Sequence, residues 1–232
     1  MTEEIDAVLF DAGGTLIELR PSRAEVFAQV LNAIGTRVDT ADVAAAMARA
    51  DGNHDEEFAR LDGKDESKFW KMYDEEVART IGYKGDLDLL EKQVSSRFDE
   101  IIPDVENWVA YSDAKPALEG LKRRGFKMGL VSNATDLARR VMDNLDLSKY
   151  FDVMVLSEEV GVRKPAPEIF RIALKATRTP PNRALFVGDR YAADIVGATG
   201  VGMHAVLVDR DGVYKHPPCL TFQDLGFFKR YF

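Results

Sequence analysis

The sequence predicts an α/β protein, in which a three-layer core built on a parallel sheet carries an inserted all-α domain. After Pro103, short apolar runs alternate with amphipathic segments, which is typical of a parallel sheet covered by helices on both faces. One further apolar run lies at residues 5–10, and the region between these two parts shows only the helical spacing of apolar residues. These observations place the first strand far from the others in the sequence.

The first strand is predicted at residues 5–10 because this apolar run is short and stops at Asp11 and a Gly13-Gly14 turn. Residues 21–102 combine long charged stretches with apolar residues at helical spacing, and they contain no convincing strand. We therefore expect an inserted helical domain joined to the core by two linkers. The predicted bounds are 1–16 and 110–232 for the core and 17–109 for the helical domain, with linkers near 17–20 and 103–111.

The remaining core elements follow in strict alternation of helix and strand. Gly125 ends the first of these helices, and Pro167 with Glu168 suits the first turn of the third. The apolar runs between the helices have the length of buried strands. We predict helices at 113–124, 136–145, 167–177 and 190–198, and strands at 127–131, 153–156, 184–187 and 204–208.

Composition excludes several classes of protein. The chain has 232 residues, and 31 Lys and Arg against 39 Asp and Glu give a formal net charge of −8. This balance argues against a general nucleic-acid or anionic-membrane binder, whose affinity depends on excess basic residues. A single cysteine and three histidines make a structural zinc site improbable. The acidic start of the chain and the lack of a membrane-length apolar run predict a soluble, cytoplasmic protein.

Polar residues follow the predicted strands at their carboxyl ends. Asp11 follows the first strand, Ser132-Asn133 the second and Gly188-Asp189 the fourth, while Lys164 lies in the loop after the third. In open α/β sheets, ligands bind in the crevice outside these carboxyl ends. An Asp after one strand is more often a helix cap or a turn former, but four such segments in order along one sheet edge predict a shared site.

The residue types suggest the chemistry of that site. Asp11 is a carboxylate that could attack an electrophile covalently, but a dianionic phosphoryl group would repel it unless a cation lay between them. Asp11 and Asp189 supply the hard oxygens that Mg²⁺ prefers. Asp194 is a candidate as a further ligand or as a group that orients the site. The sequence therefore predicts a Mg²⁺ site.

Other residues could bind the phosphoryl oxygens. Lys164 adds a positive charge in a loop stiffened by Pro165 and Pro167, although a lysine in a loop is often only an exposed side chain. The hydroxyls of Thr15 and Ser132, together with N–H groups of the loop after the first strand, can donate hydrogen bonds to phosphoryl oxygens.

Four motifs together resemble those of the haloacid dehalogenase (HAD) superfamily. They occur in the order found in that family, and the helical insertion lies between the first and second, as in the subgroup with an α-helical cap. The resemblance covers essentially the whole chain and implies a Rossmann-like core. The motifs are Phe10-Asp11-Ala12-Gly13-Gly14-Thr15-Leu16, Val131-Ser132-Asn133, Arg163-Lys164-Pro165, and Gly188-Asp189 with Asp194 after four further residues.

The resemblance implies a role for each matching residue. Asp11 would be the nucleophile, and its product with a phosphate ester would be an aspartyl-phosphate. The implied catalytic set is Asp11, Thr15, Ser132 and Lys164, with substrate contacts from Gly14 and Asn133. The implied metal set is Asp11, the backbone carbonyl of Gly13, Asp189 and Asp194.

One position departs from the family pattern. Phosphatases of this family carry a second Asp two residues after the nucleophile as a general acid and base, and Gly13 occupies that position here. General acid–base assistance is worth about 10²–10⁴ in rate. The departure puts efficient hydrolysis of ordinary phosphate monoesters in doubt, whereas a metal contact from a backbone carbonyl needs no side chain.

Three functions fit the sequence. The first is a Mg²⁺-dependent phosphohydrolase, monomeric or homodimeric, that acts on a small phosphorylated metabolite. The second is a metal-independent 2-haloacid dehalogenase, whose halide leaving group needs no proton; Gly188-Asp189, which resembles the metal-binding motif of the phosphatases, counts against it. The third is a catalytically weak binding or regulatory protein, which would not need the nucleophile Asp11. A phosphonate hydrolase is disfavoured, because residues 20–50 contain no lysine to form its Schiff base.

Overall fold

The computed structural model describes residues 5–61 and 66–231. The chain divides into two compact units, which we name the sheet unit (Met1–Glu18 with Trp108–Phe232) and the helical unit (Leu19–Asn107). Their boundaries lie two residues from those that the sequence predicts. The helical unit is inserted in the sequence between the first strand of the sheet unit and the rest of it.

A six-stranded sheet forms the centre of the sheet unit, and all of its paired neighbours are parallel. The strand order is β5-β4-β1-β6-β7-β8, and β2 pairs with β3 in a separate two-stranded sheet. The strands are β1 (Ala7–Phe10), β2 (Ile17–Leu19), β3 (Trp108–Ala110), β4 (Lys127–Ser132), β5 (Val153–Leu156), β6 (Ala184–Gly188), β7 (His204–Val208) and β8 (Thr221–Phe222).

Strand β1 lies inside the sheet, between β4 and β6, and determines where Asp11 is placed. It is fully buried and pairs with β4 on one side and β6 on the other, so the strand order reverses direction at β1. Ligands of open parallel sheets bind outside the carboxyl ends of the strands at such a switch point. Asp11, the residue after β1, therefore lies where the topology places a ligand.

Helices surround this sheet and bury its apolar side chains, with Phe170 of one helix packed edge-on against Phe186 of β6. The helix that carries Asp194 begins as a π-helix, Tyr191–Val196, a geometry that is frequent at functional sites. The α-helices of the sheet unit are α6 (Ala114–Arg123), α7 (Leu137–Asn144), α8 (Ser157–Val160), α9 (Pro167–Thr177), α10 (Gly197–Gly200) and α11 (Phe228–Tyr231).

In the described residues of the helical unit, 19–61 and 66–107, five helices occur, which we number α1 to α5 because they come first in the chain. Ser22 and Glu25 form a capping box at the start of α1, and Asp39 and Asp86 cap α2 and α5, which is why the helices begin there. Their buried faces form one apolar core. The helices are α1 (Arg23–Ala33), α2 (Thr40–Asn53), α3 (Asp55–Ala59), α4 (Ser67–Thr80) and α5 (Leu87–Ile101).

The α/β fold class is confirmed, and the differences concern short elements. Strands β2 and β3 lie in the predicted linkers, and β8 follows the last predicted strand; with three residues or fewer, such strands show no periodicity. The helix predicted at 190–198 is π-helical in its first part. Among the described helices, none has the length and apolar character needed to span a membrane.

Candidate active site

Asp11 begins a tight loop, which we name the nucleophile loop (residues 11–16). Its N–H donates to the Val187 carbonyl of β6 (2.9 Å), and the Leu16 N–H closes the loop onto the Ala12 carbonyl (2.8 Å). Gly14 lies in the left-handed region (φ 73°), and a Cβ there would overlap the Asp189 carboxylate. Glycine is thus required at position 14, for its backbone conformation and for the approach of Asp189.

Lys164 joins Asp11 to Asp194. Its ammonium lies 2.5 Å from Asp11 Oδ1 and 2.7 Å from Asp194 Oδ1, and its side chain is only 3% exposed. Burial by itself would lower the pKa of Lys164, but the charges of the two carboxylates outweigh it and raise that pKa. Lys164 is therefore a fixed cation beside Asp11.

The side-chain amide of Asn133 forms two hydrogen bonds with the backbone of Lys164. The Lys164 N–H donates to Asn133 Oδ1 (2.7 Å), and Asn133 Nδ2 donates to the Lys164 carbonyl (2.9 Å). The Asn133 side chain thus positions Lys164, and the Gly14 N–H donates to the Ile17 carbonyl (2.9 Å) and closes the turn. The substrate contacts expected of Asn133 and Gly14 stay predictions.

Asp189 and Asp194 differ in their access to ligands. Asp189 follows β6, its side chain is 24% exposed, and it accepts a hydrogen bond from the Thr15 hydroxyl (3.3 Å). Asp194 is 1% exposed, and its Oδ2 accepts from the Arg190 N–H (3.0 Å) while its Oδ1 pairs with Lys164. Burial raises the pKa of Asp189, and the charges of Asp11 and Asp194 raise it further.

The carboxylates fit a hard cation. One oxygen each from Asp11, Asp189 and Asp194 lies within 4.8 Å of the other two. Three carboxylates exceed the charges of Lys164 and of Arg190, whose Nε lies 3.9 Å from Asp189 Oδ2. Oxygen ligands of this kind are those that Mg²⁺ takes, with water and substrate completing its shell. The residues present therefore fit the metal that the sequence predicts, and a Mg²⁺ ion would lower the mutual repulsion of the carboxylates.

Space is open beside Gly13. A Cβ built on this residue would have no heavy atom within 4 Å, and its backbone is outside the left-handed region. A side chain could therefore stand at position 13 without strain, in contrast to position 14. Two hydroxyls predicted to bind phosphoryl oxygens are also near the strand ends: Ser132 is the buried last residue of β4, and Thr15 is fully buried in the nucleophile loop.

One polar residue near the site, Arg210, was not identified from the sequence. Arg210 lies just after β7, and its guanidinium donates to two carbonyls of the nucleophile loop, those of Gly14 (3.2 Å) and Thr15 (2.8 Å). The signal that could have identified it is the one used for Asp11 and Asp189: a polar residue directly beyond the carboxyl end of a buried strand.

Comparisons with known proteins agree with this geometry. Residues 5–202 match the family model of the haloacid dehalogenase-like hydrolases. The chain is 31% identical to mouse haloacid dehalogenase-like hydrolase domain-containing protein 3, over 86% of this chain and 80% of the relative. It is also 34% identical to a glyceraldehyde 3-phosphate phosphatase of Methanothermobacter thermautotrophicus, over 49% of this chain and 54% of the relative.

The fold likewise resembles that of a solved HAD-hydrolase from Bacillus subtilis bound to magnesium. The TM-score is 0.63, and the match covers 96% of both chains at 19% identity. At that identity the likeness concerns the fold alone, whereas the family match spans most of the sequence. The chain therefore belongs to the haloacid dehalogenase-like hydrolase family and is a hydrolase.

Proposed function

We propose that this hydrolase is a Mg²⁺-dependent phosphatase that acts on a small phosphorylated metabolite through an aspartyl-phosphate on Asp11. The observation that carries the proposal is the placement of Asp11 at the switch point of the sheet, with Lys164 on one of its oxygens and Asp189 beside it. The relative named as a glyceraldehyde 3-phosphate phosphatase supports phosphoryl chemistry. In this proposal the helical unit acts as a cap that selects the substrate.

Asp11 carries out both covalent steps. Lys164 holds Asp11 Oδ1, and no described residue hydrogen-bonds to Oδ2, which is therefore the attacking atom. A bond forms between Oδ2 and phosphorus as the bond from phosphorus to the leaving oxygen breaks. Water then attacks the phosphorus, the bond to Asp11 breaks, and inorganic phosphate leaves. The Ser132 hydroxyl donates to the phosphoryl oxygens in both steps, while the Thr15 hydroxyl holds Asp189.

We assign the metal ligands by the exposure of the candidate groups and by the partners that their oxygens already have. Asp11, the more exposed Asp189 and the Gly13 carbonyl would hold Mg²⁺, which when bound offsets the negative charge of the phosphoryl group against that of the carboxylates. Asp194 is proposed to position Lys164, because its side chain is 1% exposed, its Oδ1 forms an ion pair with Lys164, and its Oδ2 accepts from the Arg190 N–H.

The lack of a side chain at Gly13 limits which leaving groups can depart. No side chain at position 13 can protonate the departing oxygen, so leaving groups that are stable as anions should be favoured. We propose good turnover of acyl phosphates and aryl phosphates and poor turnover of alkyl phosphates. Dehalogenation is the second candidate, since a halide also departs without a proton; the position of Asp189 among the carboxylates favours the metal-dependent reaction over it.

A substrate panel with and without Mg²⁺ tests the proposal. Acetyl phosphate, p-nitrophenyl phosphate, glycerol phosphate and 2-chloropropionate would each be assayed with Mg²⁺ and with a chelator. We expect phosphate release from the first two, which the chelator abolishes. Halide release that persists in chelator would establish that the protein is a dehalogenase. The absence of turnover with all four substrates would favour a binding or regulatory protein.

A further inference from the structure

Arg210 reaches the nucleophile loop from the loop that follows β7. Its Nε donates to the Gly14 carbonyl (3.2 Å) and its Nη2 to the Thr15 carbonyl (2.8 Å). Asp209, just before it, is buried and accepts from the N–H groups of Val213 (2.7 Å) and Tyr214 (3.1 Å). The loop that presents Arg210 is thus closed on itself by Asp209.

Two neighbours fix the guanidinium. Asp113 accepts from Nη1 and from Nη2, both at 3.1 Å, in the two-bond geometry that arginine forms with a carboxylate. The guanidinium carbon also lies 3.7 Å from the centre of the Tyr111 ring. Asp113 is held in turn by the Leu225 N–H (2.7 Å). Arg210 is only 14% exposed, so its donors are directed before any substrate binds.

These contacts set the direction of a backbone donor. A trans peptide is planar, so its carbonyl and the following N–H point in opposite directions. Fixing the Gly14 carbonyl on Arg210 therefore turns the Thr15 N–H away from Arg210. The N–H groups of Gly14 and Leu16 close the turn, whereas the Thr15 N–H has no acceptor within the described residues, and the Thr15 hydroxyl donates to Asp189.

We propose that Arg210 is a positioning residue, which fixes the backbone of Gly14 and Thr15 and thereby holds the Thr15 hydroxyl against Asp189. The proposal rests on the proposed function, because it assigns a use to a donor of that same site. Lysine could not replace arginine here: a single ammonium lacks the planar set of donors that spans Asp113 and two carbonyls at once.

The test compares Arg210→Lys with Arg139→Lys. Arg139 also binds one carboxylate, that of Glu159, with three hydrogen bonds (2.9, 3.0 and 3.2 Å), but Glu159 lies on α8 rather than at the nucleophile loop. With p-nitrophenyl phosphate, we expect Arg210→Lys to lower kcat about 10–100-fold, the cost of a misplaced reacting geometry. The kcat of Arg139→Lys should stay within about twofold of the wild-type value, because this substitution leaves the geometry of the reacting groups intact.

Chemical rescue separates positioning from general stability. Guanidinium ion added to Arg210→Ala should restore part of kcat, and an equal concentration of sodium chloride should not. Wild-type kcat in Arg210→Lys, or equal effects of the two salts, would overturn the proposal. If the Arg210 variants do not fold, Asp113→Asn leaves Arg210 in place but loosens it, and unchanged kcat in that variant would overturn the proposal equally.

Amide hydrogen exchange distinguishes this proposal from the proposed function. Exchange in residues 11–16 should be faster in Arg210→Lys than in wild type and unchanged in Arg139→Lys. Faster exchange in Arg210→Lys, together with a wild type that hydrolyses no phosphate ester, would leave the positioning of the loop standing and refute the phosphatase. Unchanged exchange would refute the role of Arg210, whatever the activity.

Discussion

The two units bury charge in different ways. In the sheet unit, the buried ammonium of Lys164 lies between the carboxylates of Asp11 and Asp194, within ion-pair distance of both. In the helical unit, Asp74 of α4 is 8% exposed, and burial raises its pKa to about 7 despite the opposing charge of Arg23. The sheet unit therefore pairs its buried carboxylates with a cation. The helical unit instead buries the Asp74 carboxylate in a way that lowers the free energy of unfolding when this group is charged.

Packing in the helical unit depends on aromatic contacts. The Arg23 guanidinium carbon lies 5.1 Å from the Trp70 ring centre and 4.8 Å from that of Tyr73, and Phe69 packs against both rings. Such contacts favour a stable helical core, and the described part of this unit holds no cluster of three metal-ligating side chains. The candidate active site lies in the sheet unit, and the first prediction tests that assignment.

Asp11→Asn should remove turnover, by on the order of 10⁴-fold or more, because an amide cannot attack phosphorus. The variant is nearly isosteric, and Lys164 keeps its partner Asp194, so the fold should persist. Steady-state kinetics with p-nitrophenyl phosphate and thermal unfolding check the two expectations. Turnover at the wild-type level would place the nucleophile elsewhere.

Asp74 should make the free energy of unfolding depend on pH. Its pKa is about 7 in the folded protein and about 3.8 when unperturbed, so the folded state binds a proton more tightly between these values. The resulting contribution to stability is complete below pH 4 and is lost as the pH rises through 7, by as much as about 4 kcal/mol.

Asp74→Asn should therefore flatten this profile, and above pH 7 the variant should be more stable than wild type. Denaturant unfolding from pH 4 to pH 8 measures the difference. Asp99→Asn, at an exposed position on α5, serves as the control and should follow wild type. Parallel profiles for Asp74→Asn and wild type would show that Asp74 does not titrate in this range.

The metal site should respond to Asp189 more than to Asp194. Asp189→Asn removes the more accessible of these two carboxylates and should weaken Mg²⁺ binding at least about 10-fold, whereas Asp194→Asn should chiefly lower kcat through Lys164. Calorimetric titration with Mg²⁺ measures both variants. Equal losses of affinity would make Asp194 a direct ligand, and an unchanged affinity in Asp189→Asn would remove Asp189 from the metal site.

The sequence predicts the sheet unit better than the contacts within it. Asp11, Lys164 and Asp189 could be identified because each lies beyond the end of a strand, and parallel strands bring those ends to one edge. The partners of Gly14 and Asn133 could not, since whether an amide binds substrate or a neighbouring backbone depends on how the loops close. The carbonyls that Arg210 binds likewise could not be predicted, because they lie about 195 residues away in the sequence.

Position 13 gives the most direct test of the central claim, that Asp11 works here without a neighbouring acid. Gly13→Asp should fit, because nothing lies within 4 Å of its Cβ, and Gly14→Ala is the control that should not. The measurement is kcat/KM for glycerol phosphate and for p-nitrophenyl phosphate in wild type and Gly13→Asp. We predict that wild type strongly prefers the aryl ester and that Gly13→Asp raises hydrolysis of the alkyl ester by up to about 10²–10⁴-fold. A wild type that hydrolyses both esters equally well would contradict the account and direct the search for the acid to the helical unit.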